Sequence, residues 1–359
     1  MVTADLAPLE GSDRLFLASI RGTGWRCVTA SAQWPSTGPV RAIFVEPESV
    51  VDVTRDHFRS LASRADRVCQ DGHPGLRIRS MRIRGVVSEG LVIPVPACAA
   101  EAVARGCDAD ELSILLGVEV YATPVLPETH GDVVPEPSAF ARYAAPIDAR
   151  DAPDLFVEGE QVRVSELVHG VMLRVGLVYD TPTRTCPVRF VGNGSTARSL
   201  DGANVYSRVA RRAVDDRWLR ELPAMLGVSF FRHFVLYLQV YGGGVADLSY
   251  GHPVDRQSCL LLDVASDGKY LPWVYLEHVA AQLSIPRVPL IYRGPYRAAS
   301  LPAWREGMTL LGGGHTRKGC VVVPEPEGAV SLGDGPMRRR AGKSLAEAFV
   351  LRTQREVRE

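Results

Sequence analysis

The chain has 359 residues, 46% of them hydrophobic, and its 41 basic and 41 acidic side chains cancel to a formal net charge of zero. Length and apolar content supply material for two folded domains. The balanced charge excludes a general electrostatic pull towards nucleic acid or anionic membrane, so binding of either needs a local basic patch. Lys269, Lys318 and Lys343 are the only lysines, against 38 arginines, so amine chemistry has few candidates. The seven cysteines (Cys27, Cys69, Cys98, Cys107, Cys186, Cys259 and Cys320) contain no C-x-x-C pair, which suits reduced thiols of a cytoplasmic protein rather than a disulfide framework or a zinc site. The N-terminus, MVTADLAPLEGSDR, lacks the basic end and apolar run of a signal peptide, and no apolar run approaches the ~18 residues of a membrane span. No membrane partner is expected.

From residue 13 to 95, short apolar runs separated by Gly, Pro and Ser read as strands: DRLFLASI, WRCVTAS, VRAIFVE, LRIRSMRIRG and GLVIPVP, with a helix expected over 55–68. Five short strands in so little chain suit the OB-fold, a small barrel widely used to bind oligonucleotides. Arg77, Arg79, Arg82 and Arg84 alternate with Ile78, Met81 and Ile83, and the pleat would set several guanidinium groups on one face. That face reads either as a phosphate-contacting stripe for RNA or, the commoner occurrence, as the solvated side of an edge strand. Residues 97–120 read as helical, with Asp108 or Asp110 available to cap a second short helix carrying Leu112, Leu115 and Leu116. Pro124, Pro127, Pro135, Pro137 and Pro146 then break any regular element. They mark 121–150 as a linker between a first domain over 1–120 and a second over 151–359.

The second domain opens on FVEGEQVRVSELVHGVMLRV, residues 156 to 175, two β-like runs about a tight turn at His169-Gly170. A ligand could sit at that turn. Next comes a helix carrying Arg208, Arg211 and Arg212, which serve equally well as RNA or phosphate contacts or as a solvated face. The segments FVLYLQVYGGGVADLSYG, CLLLDVASDGKYL, VPLIYRGPY, LLGGGHTRKGCVVVPEP and MRRRAGKSLAEAFVLR complete the chain.

In their order these segments resemble the ATP-dependent RNA ligases of the Deinococcus type. The nucleotidyl-transfer motif of that family is close to V-x-x-T-E-K-L-H-G-T, which puts Ser165, Glu166, Leu167, Val168, His169 and Gly170 on T-E-K-L-H-G. Further agreement comes from RSMRIRGVVSEGLVIPV, Asn204-Val205-Tyr206, Val240-Tyr241-Gly242, Val245, Asp247-Leu248, Tyr250-Gly251, His315, Arg317, Gly319, Val321 to Pro324, and Lys343. The resemblance implies an α+β protein: an N-terminal OB-fold β-barrel, then an RNA-ligase-like nucleotidyltransferase domain with antiparallel sheets and flanking helices. It also implies ATP as the cofactor, held by Glu166, His169, Gly170, Gln239, Lys318 and Lys343.

Three positions that carry the family's chemistry depart from it. Leu167 stands where the lysine nucleophile belongs, and leucine has no lone pair with which to take AMP. Gln239 and Lys318 replace glutamates, and a hard cation such as Mg²⁺ prefers anionic oxygen, so Mg²⁺ is not expected and no metal ligands are assigned. The remaining histidines (His57, His73, His130, His233, His252 and His278) lack metal-ligand spacing.

The expected function is therefore a pseudo-ligase that has lost self-adenylylation and keeps nucleotide or RNA-end binding. One alternative is an adenylyl-transferring enzyme using Lys318 as a relocated nucleophile, or direct attack on ATP by a bound substrate. Another is a non-catalytic RNA-binding protein whose partner is an active ligase.

Overall fold

A computed structural model of the chain describes residues 1–121, 133–179, 186–200, 202, 204–331 and 337–352. Packing divides these into two units, one of residues 1–121 with 149–154 and 347–352, the other of residues 133–148 with 155–346.

The first unit is built on a five-stranded antiparallel sheet in the order Leu91–Pro94, Gly38–Val45, Val2–Pro8, Leu15–Ile20, Arg26–Ala30. A four-stranded sheet runs Val118–Val120, Ser49–Asp52, Pro74–Arg77, Arg67–Val68. Alternation does the sorting: Ala4, Leu6, Ala18 and Ile20 turn inward with Trp25 and Cys27, while Asp5 on the outer side pairs with Arg21 at 2.7 Å. Ile43, Val45, Val51, Phe58, Leu76 and Ile93 form a second core cluster that the helices Ala97–Ala104 and Ala109–Leu116 cover with Ala99, Leu112 and Leu116. Asp108 caps the second helix by accepting from the Glu111 N–H at 2.8 Å, and Gly117 ends it at φ 70°.

Three expectations in this unit are corrected. The helical reading of 97–120 ends at Leu116, and Val118–Val120 is a strand paired with Ser49–Asp52. Residues 55–68 form only a short 3₁₀ turn, Arg59–Arg64, followed by the strand Arg67–Val68. Phe58 and Leu61 are the apolar anchors there, too few for a continuous helical stripe. LRIRSMRIRG is not one strand, since Pro74–Arg77 and Met81–Ile83 lie in different sheets.

The second unit has a six-stranded antiparallel sheet in the order Ala197–Arg198, Val188–Gly192, Val171–Val178, His233–Gly242, Gln257–Ser266, Lys269–Tyr270. Its five-stranded sheet runs Ile147–Asp148, Gly342–Leu345, Gly319–Pro324, Gln161–Glu166, Leu290–Pro295, with only the first pair parallel. Helices Val205–Ala213, Asp216–Met225 and Trp273–Leu283 accompany these sheets. The two β-like runs about His169-Gly170 are strands, but they join different sheets and do not pair with each other. Residues 167–170 are the passage between the sheets.

Part of the proline-rich stretch packs into this unit. Phe140 is buried against Val178, Val235 and Tyr237, and Ile147 pairs with Gly342. Pro124 and Pro127 lie outside the described residues.

A buried ionic network ties the two sheets together. Arg163 of the five-stranded sheet donates to Glu327 at 2.7 Å, and Arg339 donates to both oxygens of Asp263 of the six-stranded sheet at 2.9 and 3.0 Å. The Tyr143 hydroxyl donates to Asp263 at 2.7 Å. Burial alone would raise the Asp263 pKa, but Arg339, helped by Arg163, holds it below the usual carboxylate range. No helix among the described residues is long and apolar enough to cross a membrane.

Candidate nucleotide site

Register fixes which side chains share a face. Ser165 pairs with Val321 and Val321 with Lys343, whereas Glu166 pairs with Cys320 and Cys320 with Ser344. Successive residues point to opposite sides of a sheet, so Ser165, Val321 and Lys343 lie on one face and Glu166 on the other. Glu166 is buried and accepts from the Thr309 hydroxyl at 2.5 Å and the Leu310 N–H at 2.8 Å. Its observed work is to hold the loop that follows residue 308.

Beyond Glu166 the chain enters the passage. The Leu167 N–H donates to the Gly319 carbonyl at 3.0 Å, which sets Leu167 beside the start of the strand Gly319–Pro324 and beside Lys318 just before it. Two glycines make the close approaches here. A Cβ on Gly319 would lie 2.1 Å from the Ser344 carbonyl oxygen, and one on Gly170 would lie 2.0 Å from the Val240 carbonyl oxygen. Gln239 reaches the same place, its Nε2 being 3.1 Å from that Gly170 position.

His169 is held from three directions. Its backbone N–H donates to the Tyr250 hydroxyl at 2.7 Å, its Nε2 meets Asp247 Oδ1 at 2.5 Å, and its Nδ1 meets Lys318 Nζ at 3.1 Å. An ammonium has no lone pair, so Lys318 donates and Nδ1 accepts, leaving Nε2–H to donate to the carboxylate. Tyr250 is in turn set edge-on against Tyr241 and His315, with ring centroids 5.3 and 4.7 Å apart. Burial, then the neighbouring Lys343 charge, pull the Lys318 pKa down to about 8 against the opposing influence of Asp247.

The structure thus brings Leu167, His169, Gly170, Gln239, Lys318 and Lys343 into one neighbourhood, with Glu166 turned to the other side of its sheet. Sequence reasoning did not assign Asp247 or Tyr250 to the site. Both lie in the segment DLSYG, where their agreement with the family pattern was the available signal.

The arginines expected to meet RNA are placed as follows. Arg77 pairs with Glu48 and lies over the Tyr121 ring at 3.8 Å, and Arg79 pairs with Asp66 at 2.7 Å. Arg82 pairs with Glu347, and Arg84 donates to the Gly11 carbonyl at 3.1 Å. Their charges are engaged within the first unit rather than aligned on one strand. Arg64, Arg77 and Arg79 line a cavity of about 540 Å³ together with Leu76, Ile78 and Leu91. Arg208, Arg211 and Arg212 are exposed on the helix Val205–Ala213, where Arg211 donates to the Leu200 carbonyl and Arg212 to that of Gln257. His73, read as lacking metal-ligand spacing, lies in space beside Asp52 and Asp71, each at 3.2 Å. Asp52 also accepts from the Thr54 N–H and hydroxyl and from Arg55.

A family model described as an OB-fold domain matches residues 2–95. No curated protein matches the chain in sequence. Among solved structures, a Naegleria gruberi RNA ligase variant with ATP and Mn is 18% identical, with a TM-score of 0.76 over 97% of each chain. A variant of that ligase with AMP and Mn gives 18%, 0.75 and 97% of each chain. The ligase with PPi gives 18% and 0.75, covering 99% of this chain and 98% of that one. The chain therefore has the fold of an RNA ligase, an OB-fold domain followed by antiparallel sheets with helices.

Proposed function

We propose that this chain is a nucleotide-binding protein of the RNA-ligase type, in which the phosphates of ATP meet Lys318 and Lys343 and position 167 carries no AMP. The observation behind this reading is an inert Leu167 bonded to Gly319, with the lysine that immediately precedes Gly319 held 3.1 Å from His169. Leucine offers no nucleophile in any protonation state. The ammonium of Lys318, by contrast, is a donor of the kind that phosphate oxygens accept. Neighbours in fold have been solved with ATP, AMP and PPi, which supports a nucleotide as the ligand.

The donor set does not suit a hard divalent cation. Gln239 brings an amide, Lys318 an ammonium, and Asp247 is engaged by His169; such a cation prefers anionic oxygens. No step of this reading passes through Mg²⁺.

We assign the nucleotide to 151–359 and an RNA end to the OB domain over 1–120, where three arginines line the cavity. Seven free cysteines accord with the reducing cytoplasm.

Calorimetry of the full chain with ATP, in EDTA and in MgCl₂, tests this. Affinity should change by less than about threefold between the two buffers, and Lys318→Ala should weaken it about tenfold, the worth of one charge-assisted hydrogen bond. Absence of ATP binding in both buffers would end the reading, and strict dependence on Mg²⁺ would overturn its metal-independent part.

A further inference from the structure

Resting on that reading of the ATP site, we propose that Lys318 itself takes AMP, and that Asp247 and His169 form the relay that frees its amine. Three groups stand in a line. Asp247 Oδ1 is 2.5 Å from His169 Nε2, and His169 Nδ1 is 3.1 Å from Lys318 Nζ. A nucleophile within hydrogen-bond reach of a base, itself oriented by a third group, is the arrangement that activates serine and cysteine, and burial beside a second cation, here Lys343, is what activates a lysine. The Tyr250 hydroxyl fixes the His169 backbone at 2.7 Å, and Gly170 lets the turn close against Val240. The ring is therefore positioned by backbone and side chain together.

Placement relative to position 167 supports the same assignment. Leu167 N–H bonds to the carbonyl of Gly319, the residue that follows Lys318. The amine that position 167 does not offer is thus supplied by Lys318, just ahead of the strand Gly319–Pro324. Charged and titratable groups facing Lys318 are His169 from the passage, Asp247 from the loop after the strand His233–Gly242, and Lys343 from the strand Gly342–Leu345. Lys343 disfavours the ammonium form of Lys318 and leaves a cation in place for the phosphate.

The Lys318 ammonium gives one proton to His169 Nδ1. The freed Nζ lone pair attacks the α-phosphorus of ATP and forms a P–N bond. The bond from that phosphorus to the bridging oxygen breaks, and pyrophosphate leaves with the electron pair. A second Nζ proton passes to solvent, leaving AMP on Lys318 as a phosphoramidate.

The full chain is incubated with ATP, its ATP affinity measured by calorimetry, and the product read by intact mass and peptide mapping. We expect one AMP on Lys318, acid-labile and stable to alkali, and none in Lys318→Arg. In His169→Gln the rate of adduct formation should fall about 100-fold at pH 7, the scale of general-base catalysis. That deficit should shrink as pH rises past 8, where the amine no longer needs a base; a merely structural histidine would give a deficit independent of pH. The same pH profile on the unaltered chain should rise through a midpoint near pH 8 and level off above pH 9.

ATP that binds without any adduct overturns this inference and leaves the nucleotide-binding reading intact. An adduct on Lys343 or Lys269, or one that survives Lys318→Arg, also overturns it. Failure to bind ATP at all overturns both.

Discussion

At Lys318 two functions pull pH in opposite directions. With a pKa of about 8, the side chain is an ammonium at pH 7 and mostly an amine at pH 9. Affinity for ATP should therefore fall several-fold between pH 7 and 9 as a phosphate contact loses its charge, which calorimetry at three pH values would measure. Transfer of AMP should rise over the same interval. The same shift bears on folding with a definite sign. The unfolded chain holds this proton up to the ordinary value of 10.5 and the folded chain only to about 8, so through this group stability rises with pH between those values. Lys318 was legible in the sequence as a charge reversal among matching residues. His169 was legible as a residue of the same site, but its contact with Lys318 was not, because the two lie 149 positions apart and neither segment encodes their distance.

Among the elements, the passage between the sheets is where backbone sterics decide most. Gly170→Ala and Gly319→Ala each push a methyl into a carbonyl oxygen, 2.0 and 2.1 Å away. Each should cost about 3 kcal/mol or more, with the backbone forced to move, read as a lowered denaturation midpoint. Asp108→Ala removes one cap bond from an eight-residue helix and should cost only about 1 kcal/mol.

Strands were legible wherever alternation was strong, as in Leu15–Ile20 and Arg26–Ala30. Arg59–Arg64 was misread because charged residues hide how few apolar anchors the segment has. The two runs around His169 were read as strands, but their membership of separate sheets depends on the partners Val321–Pro324 and Leu236–Val240, far away in sequence.

For the whole molecule, the Asp263, Arg339, Arg163, Glu327 and Tyr143 network joins the two sheets of the second unit. Removing one member strands the others, so Asp263→Ala should destabilise by about 3–5 kcal/mol, measured by urea unfolding. Asp263 is depressed in the folded state, so its contribution is complete above the unfolded value near ~4 and is lost as pH falls below it. Acid unfolding should start in that range and be blunted in the variant. The sequence placed Asp263 in its strand, but the arginines that face it come from elements up to 100 positions away.

Chemical labelling inherits a useful asymmetry from the three lysines. Lys269 is exposed on its short strand, while Lys318 and Lys343 are both half-covered in one neighbourhood. An acylating reagent shaped like a nucleotide would meet two side-chain amines there and only one elsewhere. Because Lys318 is half deprotonated near pH 8, it should be modified before Lys343 and at far lower reagent concentration than an ordinary lysine. A single tagged peptide would then report occupancy of the Lys318 site directly, in a mixture as crude as a cell extract.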